Sequence, residues 1–246
     1  MKKLAIAVLT VAAIAPLTTF AAGNIDVYIN GATQPKKLTD AERLADLVAQ
    51  PRLADSWWPG AVISERQSTV AAKQQHQTLL ARLATLAAEE GGDDGAAINA
   101  LRQQLQGINV TGRQLVNLDP DVVRVKPGAN PPLQGDYTLW VGHQPSTVRL
   151  FGLLSRPGTQ PFTPERDVAS YLDDQSLLSG ADRSYAWVIY PDGRTQKAPV
   201  AYWNKRHVEL MPGSVIFVGF ADSLWTKKYD ELNADILHSL TQRIPE

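Results

Sequence analysis

The chain contains no cysteine. That excludes disulfides, thiol nucleophiles, thiolate-held metals and the lipidated amino terminus of a lipoprotein. It also lacks an excess of either charge: 24 Lys and Arg stand against 25 Asp and Glu, a formal charge of −1. A chain so balanced projects no global field toward a polyanion, so nucleic acid drops out as a partner, whereas a neutral or mildly charged glycan does not. Histidines are few, and His76, His143, His207 and His238 show no metal-ligand spacing. No Ser sits in a nucleophile elbow, and no glycine loop suits phosphate. No cofactor and no metal are expected. Asp119, Asp121 and Asp136 come nearest to a carboxylate pair for glycoside hydrolysis, but Asx-Pro turns and strand caps explain the same residues.

Only one long apolar run is present, Leu4 to Leu17, preceded by Lys2 and Lys3 and followed by Thr19-Phe20-Ala21. The run is short for a membrane span and contains Pro16. Small residues at the last and third-last positions suit signal peptidase, so residues 1–21 read as a signal peptide cleaved after Ala21. The mature chain is expected to be periplasmic, with no membrane span, and long enough for two small domains.

Those two domains echo each other. Leu38 to Val48 aligns without gaps on Phe162 to Leu172; in both, a Thr that can cap a helix precedes apolar residues at helical spacing. Thr39 with Glu42 forms a capping box in the first copy, and Pro164 takes the first helical position in the second. A second echo pairs Gly135 to Gly142 with Pro212 to Gly219, each a short apolar strand between turns, the latter read as buried on both faces. A Val-rich segment precedes each, with Val122, Val123 and Val125 read as strand. Two strands joined by a turn, a helix, then further strands with a late central one is the order of a β-grasp sheet clasping one helix. The fold expected is therefore α+β: tandem β-grasp domains over residues 22–145 and 146–225, then a C-terminal amphipathic helix over 226–246.

A helical hairpin interrupts the first domain at about residues 64–107. Ser64 with Gln67 reads as its cap, Ala72, His76, Leu79, Leu83 and Leu86 as a thin apolar stripe, and Ile98, Leu101 and Leu105 as the second helix's face. Such a hairpin should pack mainly on itself and stay more exposed than the domain helices. In the tail, Tyr229, Leu232, Ile236, Leu240 and Ile244 give one apolar side, while Lys227, Asp230, Glu231 and Asp235 make it too polar to cross a bilayer alone. Burial against its own domains, in a monomer, is the reading preferred.

Three places are candidates for binding. Arg113 follows Thr111-Gly112 where hairpin returns to sheet, and is expected at a pocket lined by the hairpin and the first domain. A guanidinium there could grip a carboxylate or phosphate, or form an internal salt bridge. Trp57 and Trp58 could stack on sugar rings or fill core. Trp203, Lys205, Arg206 and His207 make a basic turn with aromatic flanks, either a solvated loop or a surface for an acidic glycan or partner.

Several longer motifs carry a resemblance over essentially the whole mature chain. Pro51-Arg52-Leu53 with Trp57-Trp58-Pro59-Gly60-Ala61, Val110-Thr111-Gly112-Arg113, Leu118-Asp119-Pro120-Asp121, Asn130-Pro131-Pro132-Leu133 and Trp203-Asn204-Lys205-Arg206-His207-Val208-Glu209 resemble the GfcC family of capsule and exopolysaccharide biosynthesis proteins. The resemblance implies a periplasmic protein of two β-grasp domains, similar to those of outer-membrane polysaccharide export proteins. It brings no established enzymatic activity and makes Arg113 the first position to probe. The function expected is an accessory role in polysaccharide production or export, by binding glycan or export machinery. An enzyme that modifies the polysaccharide is the alternative.

Overall fold

The computed structural model describes residues 23–221 and 229–245; the expected leader and the Thr226 start of the C-terminal helix lie outside the described residues. Among the described residues the fold is α+β, with two sheets, neither closed into a barrel, and six α-helices.

The first sheet contains β1 (Asn24–Ile29), β2 (Lys36–Leu38), β3 (Val62–Glu65) and β4 (Asp136–Val141), in the order β2-β1-β4-β3. Asn30 and Gly31 both take positive φ, and so turn the chain from β1 toward antiparallel β2. β1 runs parallel to β4, which is antiparallel to β3. Period-two alternation sends Ile25, Val27, Leu139 and Val141 into the core. Tyr28 and Trp140, partners across the parallel ladder, stack on the opposite face with centroids 5.8 Å apart. Helix α1 (Leu44–Val48) buries Leu44, Leu47 and Val48 in the same core.

Between β3 and β4 run α2 (Arg66–Glu90), α3 (Gly92–Gln106) and α4 (Pro120–Val125). The expected Ser64 cap is not formed: Ser64 belongs to β3, where its Oγ accepts a hydrogen bond from Thr111, and Glu65 holds the N-cap position of α2. Nor is Val122 to Val125 a strand. Asp119 accepts from the Asp121 N–H at 2.9 Å and Pro120 stands at N1, so local capping starts a helix despite the β-branched run.

The second sheet contains β5 (Thr147–Gly152), β6 (Gly158–Pro161), β7 (Tyr185–Ile189), β8 (Thr195–Pro199) and β9 (Val215–Val218), ordered β6-β5-β9-β7-β8. Its first strand is again antiparallel to the second and parallel to the last. Helix α5 (Val168–Leu172) falls between β6 and β7, as α1 falls between β2 and β3. The gapless alignment of the two helical echoes superimposes Leu44–Val48 on Val168–Leu172.

Both helices nevertheless start later than their sequences suggest. Residues 42–44 lie extended along 131–133, with Leu133 N–H bonding Glu42 O at 2.8 Å and Leu44 N–H bonding Pro131 O at 3.1 Å. That contact displaces the Thr39–Glu42 box, and Asp46 instead accepts from the Arg43 N–H at 2.9 Å. In the second copy Glu165 takes a φ of 65°, which excludes a helix from Pro164; the cap is Asp167, bonded to the Ser170 N–H at 2.8 Å.

All four residues of β9 are buried, so both faces of this sheet are covered. The hairpin contributes to that cover. Leu79, Leu83, Ala87, Ile98, Leu101 and Leu105 pack into the core of the second sheet, with Ala87 rather than Leu86 continuing the buried stripe. The two helices do pack on each other, but α3 also touches β5, so the hairpin is less self-contained than expected. Helix α6 (Asp230–Thr241) adds Leu232, Ile236 and Leu240 to this core, and Asn233 bonds both the N–H and the C=O of Phe220. No helix among the described residues is long and apolar enough to cross a membrane.

Candidate functional site

The segment before Arg113 is fixed from three sides. Thr111 is buried, and its hydroxyl donates to Ser64 Oγ at 2.8 Å and lies 3.1 Å from Thr69 Oγ1. A Cβ on Gly112 would come within 2.1 Å of the Ser68 carbonyl carbon, so the first turn of α2 rests directly on that glycine. The C-terminal tail lies along the other edge. Thr111 N–H bonds Gln242 O at 2.8 Å, Arg113 N–H bonds Gln242 Oε1 at 2.7 Å, and Ile244 N–H bonds Asn109 O at 2.8 Å.

The Arg113 side chain crosses to the second sheet. It is only 8% exposed, its Nη2 donates to Pro191 O at 2.5 Å, and its guanidinium lies over Gly193 in the β7–β8 turn. Among the described residues no carboxylate comes within salt-bridge distance of it. Asp192 is near but bonds Arg194 Nε at 2.6 Å. Burial lowers the Arg113 pKa to about 10, against a smaller opposing effect of Asp192, so the group stays charged at neutral pH.

Arg113 lines a cleft of about 560 Å³ between the outer face of the first sheet and the β5 side of the second. Tyr28, Trp57 and Trp140 form its aromatic wall; Arg149, Thr159 and Arg243 contribute from the other side. The hairpin does not line it, contrary to expectation: the second sheet and the C-terminal tail take that place. Trp57 is held by its N–H on Gly142 O at 2.8 Å and by its ring on Gly60, where a Cβ would come within 2.5 Å. His143 also borders the cleft, its N–H bonded to Asn30 Oδ1 at 3.1 Å.

The other candidates lie elsewhere. Trp58 packs against the first core. Trp203, 73% exposed, and the fully exposed Tyr202 occupy the connection between β8 and β9. Lys205 and His207 each reach within 3.9 Å of Asp167 Oδ2, while Arg206 is exposed. Burial would raise the Asp167 pKa, but hydrogen bonds from Ser170 and the positive charges of Lys205 and His207 outweigh it and hold the carboxyl below its ordinary range. Asp119 is a helix cap, and Asp136, bonded to Asn24 and Arg66, lies at the start of β4. Among the described residues no group of three or more His, Cys, Asp or Glu could hold a metal. Sequence reasoning missed Tyr28, Trp140, Arg149 and Arg243. The outward alternation of β1 and β4 was the available signal for the first two.

Two sheets of matching strand order, bridged by a hairpin and a pinned C-terminal tail, define one class. The chain belongs to the capsule biosynthesis GfcC family, matching its N-terminal domain over residues 21–144 and its C-terminal domain over residues 156–245. It is 71% identical over 229 residues to the uncharacterized protein YjbG of Escherichia coli (strain K12), covering 93% of this chain and 94% of that one.

Proposed function

We propose that this is a periplasmic accessory protein in capsule or exopolysaccharide production or export, and that it binds glycan, or the export machinery that carries it, without transforming it. The observation that carries the reading is the cleft: a buried, charged Arg113 opposite the aromatic wall of Trp57 and the Tyr28–Trp140 stack. Aromatic faces give flat apolar surface to a sugar ring, and a fixed cation orients its polar groups. The matching strand order and the coincident positions of α1 and α5 support two tandem β-grasp domains, with the hairpin inserted in the first. The leader at residues 1–21 supports export to the periplasm.

The test titrates the mature protein with the polysaccharide of its own host by calorimetry, and examines the recovered polymer. Saturable binding with an unchanged polymer is the expected result; altered chain length or substitution would favour the modifying-enzyme alternative. In cells, Arg113→Ala should reduce exopolysaccharide output more than it lowers the melting temperature. A large loss of stability with normal output would leave Arg113 as a tie between sheets only.

A further inference from the structure

The cleft has a charge imbalance that the chain as a whole does not share. Arg113, Arg149 and Arg243 line it, and among the described residues no Asp or Glu does, although acidic residues slightly outnumber basic ones in the sequence. Arg149 and Arg243 are engaged in contacts of their own, among them Arg243 Nη2 to Gly213 O at 2.6 Å. Arg113 is therefore the cation that a ligand in the cleft would meet.

A guanidinium carries five N–H donors. Among the described residues the Arg113 side chain makes one hydrogen bond, from Nη2 to the neutral carbonyl of Pro191. Buried charges are ordinarily paired, because removing an ion from water without a counter-charge is costly. Here the neighbouring acid, Asp192, is taken by Arg194, and among the described residues no carboxylate lines the cleft that the buried cation borders. A ligand that carries an anion would supply the missing counter-charge.

Resting on the glycan-binding reading above, we propose that the cleft selects an acidic saccharide, one bearing a carboxylate as a uronate does. Arg113 receives the carboxylate, for which its planar fork is suited. Trp57 and the stacked Tyr28 and Trp140 present apolar surface to the sugar ring. The site discriminates against a neutral sugar of the same shape, which leaves the buried cation uncompensated.

The probe is trigalacturonate against its trimethyl ester, which has the same backbone without the charge, titrated into the full mature chain by calorimetry and tryptophan fluorescence. Inorganic phosphate and acetate serve as anions without a sugar. The acid should bind at least about tenfold tighter than the ester, with affinity falling as salt rises. Arg113→Gln should remove the preference, and Arg113→Lys should restore part of it, since a point charge remains. Equal binding of acid and ester overturns acid selection and leaves glycan binding standing. No binding of either also overturns it, while the separate titration with host polysaccharide decides the broader reading. Phosphate or acetate binding as tightly as trigalacturonate reduces the cleft to a bare anion site and overturns the saccharide assignment. The acid-against-ester comparison on the unaltered chain is decisive even where Arg113→Gln fails to fold.

Discussion

Gln104 and Gly152 exchange two hydrogen bonds: the carboxamide Nε2 donates to Gly152 O at 2.8 Å, and the Gly152 N–H donates to Gln104 Oε1 at 2.9 Å. The side chain thus acts as a strand neighbour at the end of β5, fastening the hairpin to the second sheet although it leaves the chain within the first. Gly152 accepts no substitute there, because its φ is 110° and a Cβ would come within 2.0 Å of Val218 O. Gln104→Ala removes both partners at once. The expected cost is about 1–3 kcal/mol by urea denaturation, the penalty of leaving backbone groups unpaired. A change of only a few tenths would mean water replaces the amide.

Leu101 probes the same seam through packing. It is fully buried and belongs to one core with Val148, Leu150 and Ile216 of the second sheet. Leu101→Ala should destabilise by about 2–5 kcal/mol, the range for a dry site that cannot collapse around the lost atoms. A loss well under about 1 kcal/mol would show that the hairpin sits on a wet or mobile surface.

His76 gives the hairpin a pH dependence. Its Nδ1 lies 2.6 Å from Ser239 Oγ on α6, and its Nε2 is buried with no hydrogen-bond partner among the described residues. Burial lowers its pKa below the ordinary 6.5, with the Leu105 carbonyl opposing in part. The folded state therefore holds the proton less tightly than the unfolded one. This contribution is fully present above pH 6.5 and is lost progressively as the pH falls from there through the lowered folded value. Urea midpoints of the wild type should drop on acidification more steeply than those of His76→Gln. Parallel curves would show that His76 titrates as freely folded as unfolded.

What the sequence revealed of this fold depended on how local each signal was. The 3.6-residue periodicity of Leu44, Leu47 and Val48, and its copy at Val168 and Tyr171, placed both helices because each lies on one short stretch. Their first residues differ from the sequence expectation, since Arg43 pairs with Pro132 and Glu165 bends the second copy, neither visible locally. Val122 to Val125 looked like a strand because β-branching outweighed the Asp119-Pro120 cap in the reading, whereas in the fold the cap prevails. The stripe on α2 announced a buried face but not which sheet covers it. Gly112 marks Arg113 as a close-approach point, and Arg113 lines the cleft. The remainder of the cleft is assembled from β1, β4, β5 and the C-terminal tail, so no single stretch carries its pattern. Trp203 to His207, dense in aromatics and charge, lies outside it.

Helix α6 is held to the second core by apolar burial. Leu232, Ile236 and Leu240 are at most 1% exposed, each contributing about 1.5–3 kcal/mol by burial. Asn233 closes both backbone groups of Phe220, and Arg82 bridges to Asp235 at 2.8 Å. Beyond the helix, Gln242 and Ile244 hold the backbone from Asn109 to Arg113, so the helix, the cleft and the hairpin share one anchor. Deleting the residues after Trp225 removes all of this together. The apolar loss alone is about 5–9 kcal/mol, comparable with the entire stability of a typical domain. The shortened protein should therefore expose the core it shared with α2 and β7, melt at much lower temperature and aggregate. Size-exclusion chromatography with light scattering, alongside thermal denaturation, measures both effects. A truncated protein as stable as the full chain and of the same oligomeric state would mean that α6 contributes nothing to the fold and is available to a membrane or a partner.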